Sequence, residues 1–330
     1  MPEIMRTDAI SGGPTFASGA AATPKPATYS LYGLRVRSDL PLPLAPERND
    51  GADLTVRFAG LIPRSVPMPL SKEWRREGDQ WLLRFQNHTG QVLEFRYDLG
   101  GKSINIRQSY PEPSDTLFVL MCPAFAAALH LQGRLALHAT SLVHNGEAIL
   151  LMGSSGTGKS TLAAALAFAG LPFHADDISA LSWDNGRPVV QAGYPRLKVT
   201  PGICEALGLP ANALRPLFAA APEYPETWVD CAVLPGGFHC APAPLRTIYL
   251  LSGRSAGLQT PRLETLSPGQ AAMAMVRFLY GTPWLATPAA SAMQFCARIA
   301  ATTAVRRLWL PEGLENLHES ARAIIADANF

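Results

Sequence analysis

Between Tyr29 and Tyr110 apolar and polar positions alternate in short runs, the period of strands. SLYGLRVRS alternates in part, DLTVRFAGL follows it, and QWLLRFQNHTGQVLEFRYDLGGKSINIRQ repeats apolar runs divided by the turn sequences HTG and LGG. The Pro-rich stretch PLPLAPERNDGAD separates the first two strands. This half is predicted to be β-rich and antiparallel. From Asp115 to Gln132 (DTLFVLMCPAFAAALHLQ) the pattern becomes that of a helix apolar on most faces, hence buried between the two halves of the chain. Pro123 inside it predicts a kink or a break.

RLALHATSLVHNGEAILLMG predicts a hairpin turning at HNGE, whose second strand, Ala148 to Met152, runs directly into a glycine-rich loop. After the loop, TLAAALAFAG is a helix closed by Gly170, with Pro172 as a stop signal. PFHADDISAL and PVVQAG are strands on either side of a DNGR turn, and a short helix and a loop fit Ile203 to Leu217. LRTIYLL (Leu245 to Leu251) is a strand, and Ser267 to Phe330 is mostly helical apart from the strand-like VRRLWLP. No internal repeat is present. The pattern predicts an α/β protein: a disordered tail over 1–27, a β-rich region over 28–114, and a mixed sheet with helices over 115–330.

Composition narrows the classes. The chain has 330 residues, long enough to bury a full core, with 28 Lys+Arg against 26 Asp+Glu. A net charge of +2 does not supply the basic surface of a nucleic-acid binder, so no nucleic-acid partner is expected. No apolar run approaches the ~18 residues of a membrane span. The first 27 residues, rich in Ala, Gly, Ser, Thr and Pro, lack the basic and apolar regions of a secretory signal. Five cysteines (122, 204, 231, 240, 296) without a CxxC pair read as reduced thiols, with neither a disulfide framework nor the ligand spacing of structural zinc. The expected location is cytoplasmic. Lysine occurs only five times, at 25, 72, 102, 159 and 198, so its placement carries weight.

Gly153, Ser154, Ser155, Gly156, Thr157, Gly158, Lys159 and Ser160 match G-x-x-x-x-G-K-[ST], with Thr161 extending the nucleotide-binding stretch. The glycines let successive backbone N–H groups converge on phosphate, and the helix that follows adds its positive end. Lys159 then reaches the transferring phosphate of ATP, and the Ser160 hydroxyl is a ligand for Mg²⁺. Asp176 and Asp177 follow Lys159 by 17 and 18 residues, the length of one helix and a return strand. Neighbours on a strand point to opposite faces, so both serve one site only at a strand end or a bulge. One can then hold Mg²⁺, in part through water, while the other receives a proton from the attacking hydroxyl. His138, on the strand paired to the one before the loop, is placed beside the loop or the acidic pair. His130, His144 and His174 read as core or surface residues.

The stretch LHATSLVHNGEAILLMGSSGTGKSTLAAALAFAGLPFHADDISAL resembles the catalytic core of HPr kinase/phosphorylase, in which a His precedes a hairpin, a phosphate loop and an Ala-Asp-Asp strand. GYPRLKVTP, PLRTIYLL and YSLYGLRVRSDLPLP resemble HPr-kinase-like serine kinases of ribosomally made peptides, including lasso-peptide precursor kinases. The resemblance implies an HPr-kinase-type P-loop core using ATP and Mg²⁺. His138 matches the family's active-site His; Asp176 and Asp177 match its acidic pair, with Asp177 favoured as base and Asp176 for Mg²⁺. Arg196 and Lys198, in YPRLK, contact phosphate or substrate, or form a solvated strand end. The family tends to self-assemble, which admits a homo-oligomer, although no heptad pattern is present. Two departures stand out: Thr161 replaces a Glu that follows the P-loop Ser in HPr kinases, and their Glu-x-Arg-Gly signature is absent. No Lys or Arg occurs from 216 to 244, where relatives carry a basic clamp.

Three functions fit these residues. The first is an ATP-dependent kinase acting on a serine of a peptide or small protein, with a lasso-type precursor peptide as favoured acceptor and HPr itself as alternative. The second is a nucleotide-gated peptide-binding module without transfer, and the third a small-molecule kinase. In the first, the β-rich half is expected to capture the peptide as an added strand at a sheet edge.

Overall fold

Turn chemistry divides the chain before packing does. Tyr32 and Gly33 both adopt positive φ (53° and 73°), so SLYGLRVRS is a hairpin of β1 (Ala27–Leu31) and β2 (Leu34–Ser38), not one strand. The computed structural model describes residues 25–48, 51–110, 113–218, 226–281 and 284–329. Most of the expected disordered tail, residues 1–24, lies outside the described residues.

Five further strands complete a first sheet: β3 (Leu54–Leu61), β4 (Ser71–Glu77), β5 (Gln80–Gln86), β6 (Val92–Asp98) and β7 (Ser103–Gln108). Their order is β1-β2-β3-β7-β6-β5-β4. The expectation of an antiparallel half is corrected here, because β3 runs parallel to both β2 and β7. Parallel neighbours cannot be joined by a tight turn, and the long Pro-rich connection between Ser38 and Leu54 supplies the crossover from β2 to β3. Edge strand β4 (SKEWRRE) has almost no buried face, so it shows none of the alternation by which strands are read.

The apolar helix forms as α1 (Pro113–Val119) and α2 (Phe125–Leu131), joined by one π-helical turn over Leu120–Ala124 that contains Pro123. The widened turn absorbs the missing proline N–H without ending the helix. The Tyr32 and Tyr97 hydroxyls donate to the carbonyls of Met121 and Ala124 at 3.1 and 3.2 Å, bonding the first sheet to this turn. One apolar cluster unites β1, β2, β3, β6 and β7 with both helices and with Ala136, Ala175, Ile178 and Ala180 of the second sheet.

That second sheet starts with the hairpin of β8 (Ala136–His144) and β9 (Glu147–Met152), turning through Asn145 and Gly146 at φ 50° and 79°. The helix α3 (Lys159–Phe168) follows, then β10 (Phe173–Ala175), β11 (Ile178–Asp184) and β12 (Arg187–Val190). A small antiparallel sheet comes next, of β13 (Arg196–Val199), β14 (Arg215–Pro216) and β15 (Thr227–Asp230), with the helix α4 (Pro201–Ala206) inserted. The chain ends with β16 (Ala243–Ser255), β17 (Arg262–Thr265), α5 (Pro268–Met275), α6 (Ala289–Ala300), β18 (Ala304–Pro311) and α7 (Leu317–Ala328).

In the second sheet β9 pairs antiparallel with β8 and parallel with β16, which in turn runs parallel to β18. Alternate residues of β9 face opposite clusters. Ile149 and Leu151 pack with α3 and α7, whereas Ala148, Leu150 and Met152 pack with α5 and α6. Both faces are covered, which is why the strand reads as an unbroken apolar run. The small residues of α3 (Ala163, Ala164, Ala165, Ala167) bring it close to the sheet, and full burial of Leu162 and Leu166 contributes about 2 kcal/mol each. The fold is thus mixed α/β, with a helix-covered mixed sheet and a β-rich N-terminal region. All five cysteines are free, four of them buried. No helix among the described residues is long and apolar enough to cross a membrane.

Candidate active site

The loop from Gly153 to Gly158 leaves the end of β9, at the carboxyl edge shared by the parallel strands β9, β16 and β18, where open α/β sheets place their ligands. Gly153 is confined: a Cβ there would stand 3.0 Å from the Leu251 carbonyl oxygen and 2.7 Å from Thr157 Oγ1. Gly158, at φ 98°, is the N-cap of α3. Ser154, Ser155 and Gly156 are exposed, while Lys159 is only 8% exposed and folds back, its Nζ donating to the carbonyls of Gly153 (2.8 Å) and Ser154 (3.3 Å). Thr157 Oγ1 donates to the Ser154 carbonyl at 2.8 Å and stiffens the loop. Ser160 and Thr161 are half-buried on the first turn of α3. Burial lowers the Lys159 ammonium below its ordinary value, and the charges of Asp177 and Asp176 oppose that shift. Loop and acidic pair therefore share one electrostatic neighbourhood.

The acidic pair occupies a break in a strand. Both β10 and β11 pair with β8, and between them the chain leaves the ladder. Asp177 sits at φ 61°, and the Ile178 N–H donates to the Asp176 carbonyl at 2.7 Å, closing a tight turn over it. Asp tolerates this left-handed geometry better than most residues, and the turn frees both carboxylates from the alternation of a strand. The expected strand PFHADDISAL is thus two strands with the chemistry at their junction.

The two carboxylates have different surroundings. Asp176 is 2% exposed and accepts from the Thr140 hydroxyl (2.7 Å), the Asp177 N–H (3.0 Å) and the Lys198 N–H (3.1 Å). Burial first, and then the Asp177 charge, raise its pKa above the usual carboxylate value. Asp177 is half-buried, and that burial alone would raise its pKa. The Lys198 charge first, then the nearby His138 and the hydrogen bond from Lys198, outweigh burial and hold the group well below the ordinary range. Lys198 Nζ lies 2.5 Å from Asp177 Oδ2 and His138 Nε2 lies 3.7 Å from Oδ1. Burial lowers the Lys198 ammonium, but Asp177 and Asp176 more than reverse this and keep it firmly charged.

His138 reaches Asp177 because it stands directly across from Ile178 in the β8–β11 ladder. Its ring meets Tyr280 edge-on with centroids 5.8 Å apart. Lys198 arrives from β13, in the small third sheet. Arg196, two residues earlier on the same strand, is stacked 4.0 Å over the Trp228 ring and stands across from Asp230. The residues named from sequence therefore fall into two groups: the loop with Lys159, and Asp177 with His138 and Lys198. Asp176 props the second group, and Arg196 packs within the small sheet.

Two residues of the site carry no sequence signal. Thr140 fixes Asp176 from β8, two positions after His138. Arg254, near the end of β16, brings its Nη2 to within 2.8 Å of where a Gly158 Cβ would stand. A threonine in an apolar strand and an arginine in GRS match no motif.

No family model matches the chain, and no curated protein matches it. Among solved structures it is similar to the Hpr(Ser) kinase/phosphatase from Coxiella burnetii, with 14% identity and a TM-score of 0.31, over 59% of this chain and 99% of that one. A likeness that weak carries no weight in assigning chemistry to the site.

Proposed function

We propose that the chain is an ATP-dependent kinase that transfers the γ-phosphate to a serine hydroxyl of a peptide or small protein, a ribosomal lasso-type precursor peptide being the favoured acceptor. One observation carries the reading: Asp177 is held as an ionised carboxylate between His138 and Lys198, close enough to the phosphate loop to act on the Lys159 charge. A module that only binds nucleotide has no use for a second, acceptor-side carboxylate. The resemblance of residues 135–200 to HPr-kinase cores, read from motifs, supports the same assignment.

The residues fit the groups this function needs. Backbone N–H groups from Gly153 to Gly158, the N-terminus of α3 and Lys159 suit the β- and γ-phosphates of ATP. The Ser160 hydroxyl and the Asp176 carboxylate offer the oxygen donors that Mg²⁺ prefers, and with three hydrogen bonds already on Asp176 its share suits contact through water. Bound Mg²⁺ would neutralise charge on the phosphate oxygens. Asp177 orients the acceptor hydroxyl in line with the γ-phosphorus and accepts its proton as the bond to phosphorus forms. So acidic a carboxylate acts mainly by orientation, which suits a loose phosphoryl-transfer transition state. Lys198 keeps Asp177 ionised, and His138 stands 3.7 Å from its second oxygen. Of the edges of the first sheet, β1 is bridged by Glu47 through Thr28, whereas β4 offers the longer free edge for an acceptor segment.

The test is incubation of the full chain with Mg·ATP and either a Ser-bearing precursor peptide or an HPr-type protein, read by intact mass, with Asp177→Asn as control. A gain of one phosphate on the peptide, lost in the variant, is the expected result. Gain on the HPr-type protein alone would move the acceptor class. No gain on either while Mg·ATP binds would sink the kinase reading in favour of the binding module.

A further inference from the structure

We infer that Arg254 is a phosphate-binding residue of the nucleotide site, a second cation acting with Lys159; the inference rests on the proposed phosphate loop and extends it to a residue outside any motif. The geometry begins with register. Because β16 runs parallel to β9, pairing Tyr249 with Leu151 and Leu250 with Met152, the residues after Leu250 lie alongside the loop that β9 feeds. The register of β16 against β18 shifts between Leu251 and Gly253, and Gly253 adopts φ 138°, a conformation that L side chains rarely enter. Such a bulge re-aims the side chain that follows it. That side chain is Arg254, whose guanidinium lies against Gly158, the residue whose φ of 98° opens α3.

Charge makes the placement informative. Arg254 makes one long hydrogen bond, to the Pro311 carbonyl at 3.4 Å, and no ion pair with a carboxylate among the described residues. It lies against Gly158 at the positive end of α3, and the next residue in the chain is Lys159, whose own bonds go to carbonyls. The nearby Asp177 is already engaged by Lys198 and His138. Asp177 and Asp176 act on Lys159 only at a distance, and no carboxylate pairs with Arg254 among the described residues, so the guanidinium at the helix N-terminus has no anionic partner of its own until a ligand anion binds. A planar fork of donors at that point suits phosphate oxygens better than an ammonium would. A glycine at 158 keeps the approach open, since any Cβ there would displace the guanidinium.

The test is calorimetric titration of the full chain with Mg·ATP for wild type, Arg254→Gln, Arg254→Lys and Lys159→Ala, alongside the melting temperature of each without nucleotide. The glutamine variant is expected to bind Mg·ATP about tenfold more weakly or worse and the lysine variant in between, with no drop in nucleotide-free melting temperature. Wild-type-like binding by Arg254→Gln, while Lys159→Ala loses it, overturns the role of Arg254 and leaves the phosphate loop standing. Weaker binding together with a lower melting temperature also overturns it, assigning Arg254 to holding β16 on β18. If wild type binds no Mg·ATP, both readings fall.

Discussion

Acid should loosen this protein through one buried histidine beside the acidic pair. His174, on β10, is fully buried; its Nε2 lies 3.0 Å from the Ala241 carbonyl, while its Nδ1 has no partner. The neutral tautomer with hydrogen on Nε2 satisfies the bond to Ala241, and a second proton would have to sit on Nδ1 with no acceptor. Burial, and then the neighbouring His239, push the group down from 6.5 to about 4. Between those values the unfolded chain holds the proton and the folded chain does not, so stability rises with pH across that window and is lost as pH falls through it. At about 1.4 kcal/mol per pH unit the full loss is about 3 kcal/mol, a large share of what a domain has to spare. The assay is urea unfolding followed by tryptophan fluorescence at about pH 7.5 and about pH 4.5, in wild type and His174→Gln, which keeps a donor for Ala241. Groups that do not touch His174 titrate equally in both proteins, so the difference in pH dependence reports His174 together with the adjoining His239 ring. Wild type should lose about 2 kcal/mol more than the variant on acidification. Equal losses would refute the buried neutral imidazole, whatever the constant offset between the two proteins.

Three other outcomes are expected. Asp177→Asn should lower kcat at least ~100-fold while the Kd for Mg·ATP moves only a few-fold, as judged by single-turnover transfer and titration; a parallel loss of both would make Asp177 a nucleotide ligand. Lys198→Met leaves the half-buried Asp177 charge without its main partner and should destabilise the fold by about 2 kcal/mol in urea at neutral pH, whereas a loss below about 1 kcal/mol would mean the ion pair is solvated. Gly236→Ala and Gly202→Ala should act in opposite directions. A Cβ at 236 collides with the Leu171 carbonyl and should cost about 3 kcal/mol, while one at 202, inside α4, meets nothing and should raise stability by about 0.5 kcal/mol, both read from melting curves.

What could be read from sequence follows from how local each signal is. The phosphate loop is a contiguous motif between an apolar strand and a helix, and all three are found in that order. The acidic pair was legible as two adjacent carboxylates that need a strand interruption, and the turn at Asp177 supplies it. His138 was reachable because a two-residue hairpin turn fixes the β8–β9 register, although its contact with Asp177 runs through β11 on the other side of β8. Lys198 and Arg254 were not assignable in the same way. The first reaches Asp177 from a separate small sheet, and the second depends on a bulge whose only trace is a glycine. Strands β4, β14, β15 and β17 lack the alternation that marks a half-buried strand, so they are set by pairing and not by local pattern. The parallel course of β3 is likewise a property of the whole sheet.

Ala175 and Ile178, which bracket the acidic pair, belong to the same apolar cluster as Tyr29, Val36 and Phe95 of the first sheet and the π-turned helix between the sheets. The strand ends that carry the acidic pair and the N-terminal sheet therefore share one interior. Calorimetry should show a single transition for both, and a shortened chain beginning at the helix would expose that interior beneath Asp176 and Asp177. Substitutions at Tyr29 or Phe95, remote in sequence from any reacting group, should then register as lost activity. For anyone grafting this phosphate loop onto another specificity module, the cut cannot fall at the helix: the first sheet is the foundation of the site and has to travel with it.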